Sequence, residues 1–169
     1  MHKVHGFTRS VHGVHRFTGG SWVHGFGTVG ALSRTVGARS FDELDAWRLA
    51  NQLKLGVYAL IGTGAVTRDL RFCDQLRSAA ASAPGNIAER FGRYEPAEFR
   101  RFLRIANGSL VETSCHLRDG VDRKHFASSD IDDLLRLAKR ASAATVALMH
   151  YLKTAKPPSP RSNGQNPRT

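Results

Sequence analysis

Residues 71–112, RFCDQLRSAAASAPGNIAERFGRYEPAEFRRFLRIANGSLVE, read as two helices meeting at a tight corner, with small residues inside and arginines outside. Phe72, Leu76, Ala80, Ala83 and Ile87 recur every three or four positions, which predicts a helix from about Arg68 to Phe91. Pro84 falls inside that pattern. Its ring removes one backbone hydrogen bond and clashes with the carbonyl of Ala80, so the helix either kinks or breaks there. After a break, Asn86 and Glu89 would cap a fresh helix. Gly92 to Glu95 form the corner, and Pro96 suits the first position of the next helix. Phe99, Leu103, Ala106, Leu110, Thr113 and Leu117 then step by four and three, the seam of near-antiparallel bundle packing. Gly120 is the expected end.

Outside this hairpin the pattern repeats twice. Ser40 followed by Glu43 resembles a capping box, and Asp42, Glu43 and Asp45 put negative charge in a first turn. Leu44, Trp47, Ala50, Leu55, Tyr58 and Ile61 supply the expected inner stripe, ended by Gly62-Thr63-Gly64. A last helix begins after Ser128-Ser129 and runs through Ile131, Leu134, Leu135, Ala138, Ala141, Thr145, Leu148, Met149 and Leu152. Pro157-Pro158 stops it. Four long helices and no convincing strand predict an all-α, antiparallel up-down four-helix bundle over residues 40–156. Residues 157–169 read as a disordered Pro-rich polar tail.

Residues 1–39 are rich in Gly and His and sustain neither a helical nor a strand period, so a flexible leader is expected. His2/His5 and His12/His15 have a spacing seen in metal sites, but a Gly-rich backbone does not preorganise four ligands, and no metal or cofactor is expected. The leader lacks the amphipathicity of a transit peptide. Another reading makes it upstream sequence, translated from a misassigned start.

Charge narrows the function classes. The chain carries 25 Lys/Arg against 14 Asp/Glu, a net of +11. Residues 1–41 hold five basic and no acidic residues, whereas residues 42–156 hold 18 basic and 14 acidic. The excess therefore lies mostly in the two ends, and the bundle itself is mildly basic. Such a balance fits a polyanionic partner. No apolar run approaches the ~18 residues a membrane span needs, and no secretory leader is present, so a cytoplasmic protein is expected. Cys73 and Cys115 lack metal-ligand spacing and read as buried free thiols.

An antiparallel hairpin cornering near Tyr94–Glu95 places Arg77 level with Glu112, and Glu89 level with Arg100. Both are expected as ion pairs that hold register. The small run Ser78–Ala83 then lies opposite Gly108-Ser109, allowing close backbone approach with no convergence of polar groups. Arg90, Arg93, Arg101 and Arg104 cluster around the corner and form the candidate nucleic-acid-binding set. Arg136, Lys139 and Arg140 make a second strip. Clustered guanidinium groups suit phosphate through charge and bidentate hydrogen bonds, but interleaved Glu95 and Glu98 equally suit a solvated face. No aromatic platform for reading bases is evident. Ser109, Cys115, His116 and His125 include nucleophile and base types without a recognisable catalytic spacing, so no enzyme activity is expected.

Gln75-Leu76-Arg77, Pro84-Gly85-Asn86-Ile87-Ala88-Glu89, Phe102-Leu103-Arg104-Ile105-Ala106 and Gly108-Ser109-Leu110-x-Glu112 resemble motifs of a bacterial four-helix-bundle family. Its members include proteins encoded in intervening sequences of large-subunit ribosomal RNA genes, and the accessory variability protein of diversity-generating retroelements. The resemblance spans about residues 41–153. It implies one continuous, kinked second helix and a cofactor-free homo-oligomer, a pentamer. It further implies RNA or DNA as partner, and a reverse transcriptase in the retroelement setting. Two departures stand out: Arg90 follows Glu89 where the family usually has Gly, and Asp119–Phe126 lacks the usual Gly-aromatic turn. The competing reading is a structural or protein-interaction bundle without nucleic acid.

Overall fold

The computed structural model describes residues 38–91 and 95–154. It contains four helices: α1 (Asp45–Ile61), α2 (Leu70–Phe91), α3 (Pro96–Asp122) and α4 (Ser128–Thr154). Short 3₁₀ turns at Phe41–Glu43 and Ala65–Arg68 precede α1 and α2. Among the described residues there is no strand. Each helix packs on its neighbours in the order α1–α2–α3–α4 and α4 closes back onto α1, so the architecture is an all-α four-helix bundle. No described helix is long and apolar enough to cross a membrane.

The core follows the helical period. Phe72, Leu76, Ala80, Ala83 and Ile87 of α2 are all buried, as are Phe99, Leu103, Ala106, Leu110, Thr113 and Leu117 of α3. From α4 come Ile131, Ala138, Ala141, Thr145 and Leu148. Thr113 and Thr145 are fully buried, yet each hydroxyl donates to the carbonyl one turn earlier, Ser109 at 2.7 Å and Ala141 at 2.8 Å. That local bond removes the cost of burying a hydroxyl in an apolar core.

α1 departs from the expected stripe. Its core face is Ala46, Ala50, Leu53, Val57 and Ile61, while Leu55 is 56% exposed and Tyr58 37%. Leu53 and Val57 lie on the same side as Ala50 and Ile61, and Leu55 sits two positions round from Leu53, about 200° away at 3.6 residues per turn. The capping box is also absent. Ser40 makes no side-chain cap; Glu43 Oε2 instead accepts from the Arg39 amide at 2.9 Å, and α1 starts only at Asp45.

α2 passes through Pro84 as a single helix, so Asn86 is an interior residue and not a cap. Asn86 Nδ2 donates to the Ser82 carbonyl at 2.8 Å, adding a side-chain bond just where proline interrupts the ladder. α2 is capped by Asp69, whose Oδ1 accepts from the Phe72 amide at 3.1 Å. Its other oxygen lies 3.0 Å from His125 Nε2, which must be the donor to a carboxylate. One side chain therefore caps α2 and ties it to the turn before α4.

Gly120 does not end α3, which continues to Asp122. Its carbonyl accepts from the amides of His125 (2.8 Å) and Phe126 (3.4 Å), closing the turn. A Cβ here would lie 2.4 Å from the Phe126 ring and 3.0 Å from that of Phe72. Glycine is needed for this close approach, and Gly120 and Phe126 thus meet across the turn despite its unusual sequence. Cys73 is buried and its thiol donates to the Val66 carbonyl at 3.2 Å; burial pushes its pKa up. Cys115, expected to be buried, is exposed on the outer side of α3.

Two outcomes test this packing. Gly120→Ala lowers stability by about 1 kcal/mol, overpacking of ~1–3 kcal/mol outweighing a helix-propensity gain of ~1 kcal/mol. Gly108→Ala, with nothing within 4 Å of the added carbon, raises it by about 0.5–1 kcal/mol; denaturant unfolding of both variants checks the contrast. For Asp69, the bond from the Phe72 amide, the bond from His125 and the nearby Arg123 charge hold the carboxyl below its ordinary 3.8. Its stabilisation is therefore complete above that value and is lost as pH falls through the lower folded pKa. Acid unfolding of Asp69→Asn shows a correspondingly shallower fall below that pH.

Candidate nucleic-acid interface

The corner between α2 and α3 carries the arginines singled out by sequence, and the structure gives them different roles. Arg90, in the last turn of α2, lays its guanidinium over the Phe102 ring, 4.2 Å from the centroid. Its side chain is only 21% exposed, and its Nε is buried without a hydrogen-bond partner among the described residues. Such stacking is worth ~0.5–2 kcal/mol and orients the guanidinium plane. Arg101 approaches the same ring at 5.9 Å, while 60% of its side chain stays exposed. Its only carboxylate neighbour among the described residues is Glu98, at 3.9 Å, too long and exposed to neutralise it. Arg104, one turn further on, is exposed and has no ion-pair partner among the described residues. Arg93 lies outside the described residues.

Phe102 is the residue that sequence reasoning missed. It is half-buried beside the core residue Leu103 and reads locally as part of an apolar run. The sequence register sets Arg90 level with Phe99 and gave no signal for it; the observed alignment, with the Ser82 and Ser109 hydroxyls 2.8 Å apart, sets Arg90 against Phe102.

Neither proposed register pair forms. Arg77 turns to Asp74 on its own helix, at 2.5 Å, with both groups largely exposed. Glu112 faces His116 at 3.8 Å. Glu89 is exposed and reaches only its neighbour Arg90, at 3.9 Å, while Arg100 has no carboxylate partner among the described residues. The antiparallel rule gave depth along the hairpin but not azimuth. The α2 face opposite Glu112 consists of Gln75, Ser78, Ala79 and Ser82, and Arg77 lies about 100° round from Ser78.

That face also overturns the expectation that no polar groups converge beside the small run. Gln75, Ser78, Ser82, Glu112 and His116 line an open cleft of about 320 Å³. A second cleft of about 330 Å³ adjoins it through Gln75, lined by Asp69, Arg71 and Arg123. The catalytic residue types remain separately engaged: Ser109 bonds Ser82, Cys115 faces outward, His116 faces Glu112, and His125 holds Asp69. Among the described residues no group of three or more His, Cys, Asp or Glu is arranged to hold a metal ion. The leader histidines lie outside the described residues.

On α4, Arg136 pairs with Asp133, whereas Lys139 and Arg140 are exposed and have no ion-pair partner among the described residues. The two basic clusters singled out by sequence thus lie apart, one at the Phe102 corner and one on the outer side of α4.

No curated protein sequence matches the chain. A family model described as 23S rRNA-intervening sequence protein matches residues 42–147, which begin just before α1 and end within α4. Helical architecture, hairpin motifs and match agree, and the chain belongs to the 23S rRNA-intervening sequence protein family.

Proposed function

We propose that this bundle is a non-enzymatic, homo-oligomeric protein that binds the RNA or DNA backbone through the arginines at the α2–α3 corner. The observation that carries the reading is the Phe102 assembly. Arg90 is held against the ring, Arg101 projects beside it, and Arg104 stands one turn away without a carboxylate partner among the described residues. Arg90 is the positioned base of the patch, and Arg101 and Arg104 are its phosphate contacts. Backbone binding of this kind is electrostatic and independent of sequence.

Oligomerisation multiplies such a patch, so modest single sites add through avidity. Ile105, 43% exposed on α3, and Leu55 and Tyr58 on α1 supply apolar surface for self-association. A pentamer is the state implied by the resemblance. On this reading the protein works in the cytoplasm and, in a retroelement setting, beside a reverse transcriptase; a neighbouring reverse-transcriptase gene with a variable repeat would support that setting. The alternative, a protein-interaction bundle without nucleic acid, is favoured by the same exposed apolar residues.

Salt titration separates the two. Arg101→Ala and Arg104→Ala each reduce the slope of log affinity against log salt by ~0.7–0.9 for single-stranded RNA or duplex DNA. An unchanged slope in the double variant assigns binding to the basic leader instead, so residues 40–156 alone are measured in parallel. Native mass spectrometry of the full chain is expected to show a single closed oligomer, and a monomer at micromolar concentration refutes the avidity argument.

A further inference from the structure

A groove of about 420 Å³ runs between the outer sides of α3 and α4, away from the Phe102 corner. Its apolar lining includes Val111, which is 55% exposed, together with Leu135 and Ala138. Small side chains at Ser114, Cys115 and Ser142 keep it shallow enough for close approach. Along α3 it extends from Leu110 to Arg118, roughly 12 Å at ~1.5 Å per residue, which is two turns of a docked helix. Its charged lining residues are all cationic: Arg118, Arg136 and Lys139. Arg118 donates only to the Ser114 carbonyl, and Lys139 has no carboxylate partner among the described residues. Arg136 is engaged by Asp133, itself 92% exposed and therefore readily exchanged.

We propose that this groove docks an acidic amphipathic helix from another protein. An apolar stripe at helical spacing would cover Val111 and Leu135, above the buried Ala138, and flanking carboxylates would meet the three cations. Charge complementarity selects that occupant over the others. Residues 1–41 and 157–169 contain no Asp or Glu, so neither end of this chain matches the rim. A two-fold contact between two copies of the groove would set the three cations against themselves. A sugar-phosphate backbone would satisfy the cations but leave the apolar floor without a partner. This surface is independent of the nucleic-acid reading, whose arginines lie at the corner.

Cys115 provides the readout, because it lies in the groove and is exposed while Cys73 is buried. The probe is a synthetic peptide of about 18 residues, Ala-rich and long enough to be helical, with leucines at i, i+4 and i+7 and glutamates only at the positions flanking that stripe. Added to the full chain, it is expected to slow reaction of Cys115 with an aromatic disulfide reagent at least about tenfold at saturation. A scrambled peptide of equal composition, and one with lysine replacing glutamate, leave the rate unchanged. Lys139→Glu with Arg118→Glu removes the protection and confers it on the lysine peptide; Lys139→Ala, a milder change, weakens the acidic peptide alone. Circular dichroism confirms that the variants fold. Equal protection by the scrambled peptide or by single-stranded RNA overturns the proposal, since the surface then reads charge only. So does protection that rises with the protein's own concentration in the absence of peptide, which assigns the groove to a second copy.

Discussion

The close contact between α2 and α3 is the constraint on which the rest of the bundle depends. Ser78, Ala79 and Ser82 put small side chains on the α2 face toward α3, and the Ser82–Ser109 hydroxyl pair lies in that seam. Large side chains would hold the helices at the wider end of the 8–10 Å range for packed helices. At this spacing one register follows for the whole hairpin. It sets Phe102 beneath Arg90 at one end and Glu112 against Gln75 and Ser78 further along. The site is a consequence of the seam.

The two ends of the hairpin use aromatic rings in contrasting ways. Near the start of α2, Phe72 packs with His125 and Phe126 at centroid separations of 5.0 and 6.0 Å, and Asp69 locks the turn onto the helix. Gly120 makes room for that knot. At the α2–α3 corner, Phe102 instead presents one ring to two guanidinium groups. A buried Arg90 Nε with no partner among the described residues costs about 1–3 kcal/mol by itself. That cost is comparable to what the stack returns.

α3 is the helix with two jobs. Its inner seam holds the core, and its outer side carries Arg101, Arg104, Ile105, Val111 and Arg118, with no comparable layer packed over them among the described residues. The division separates a polar, arginine-rich corner from an apolar groove with a cationic rim.

Periodicity by itself determined the number of helices, the buried faces of α2, α3 and α4, and the passage of charge to the outside. These are local properties, because a residue's depth in a bundle repeats with the turn of its own helix. Tertiary structure decided what depends on azimuth and contact between helices: the rotation of α1 onto Leu53 and Val57, the failure of Arg77 to reach Glu112, the outward Cys115, and the stacking of Arg90 on Phe102. A level along a hairpin follows from a constant rise per residue. Which side chains face each other at that level depends on how two cylinders rotate to bury their apolar stripes, and that minimum belongs to the packed pair.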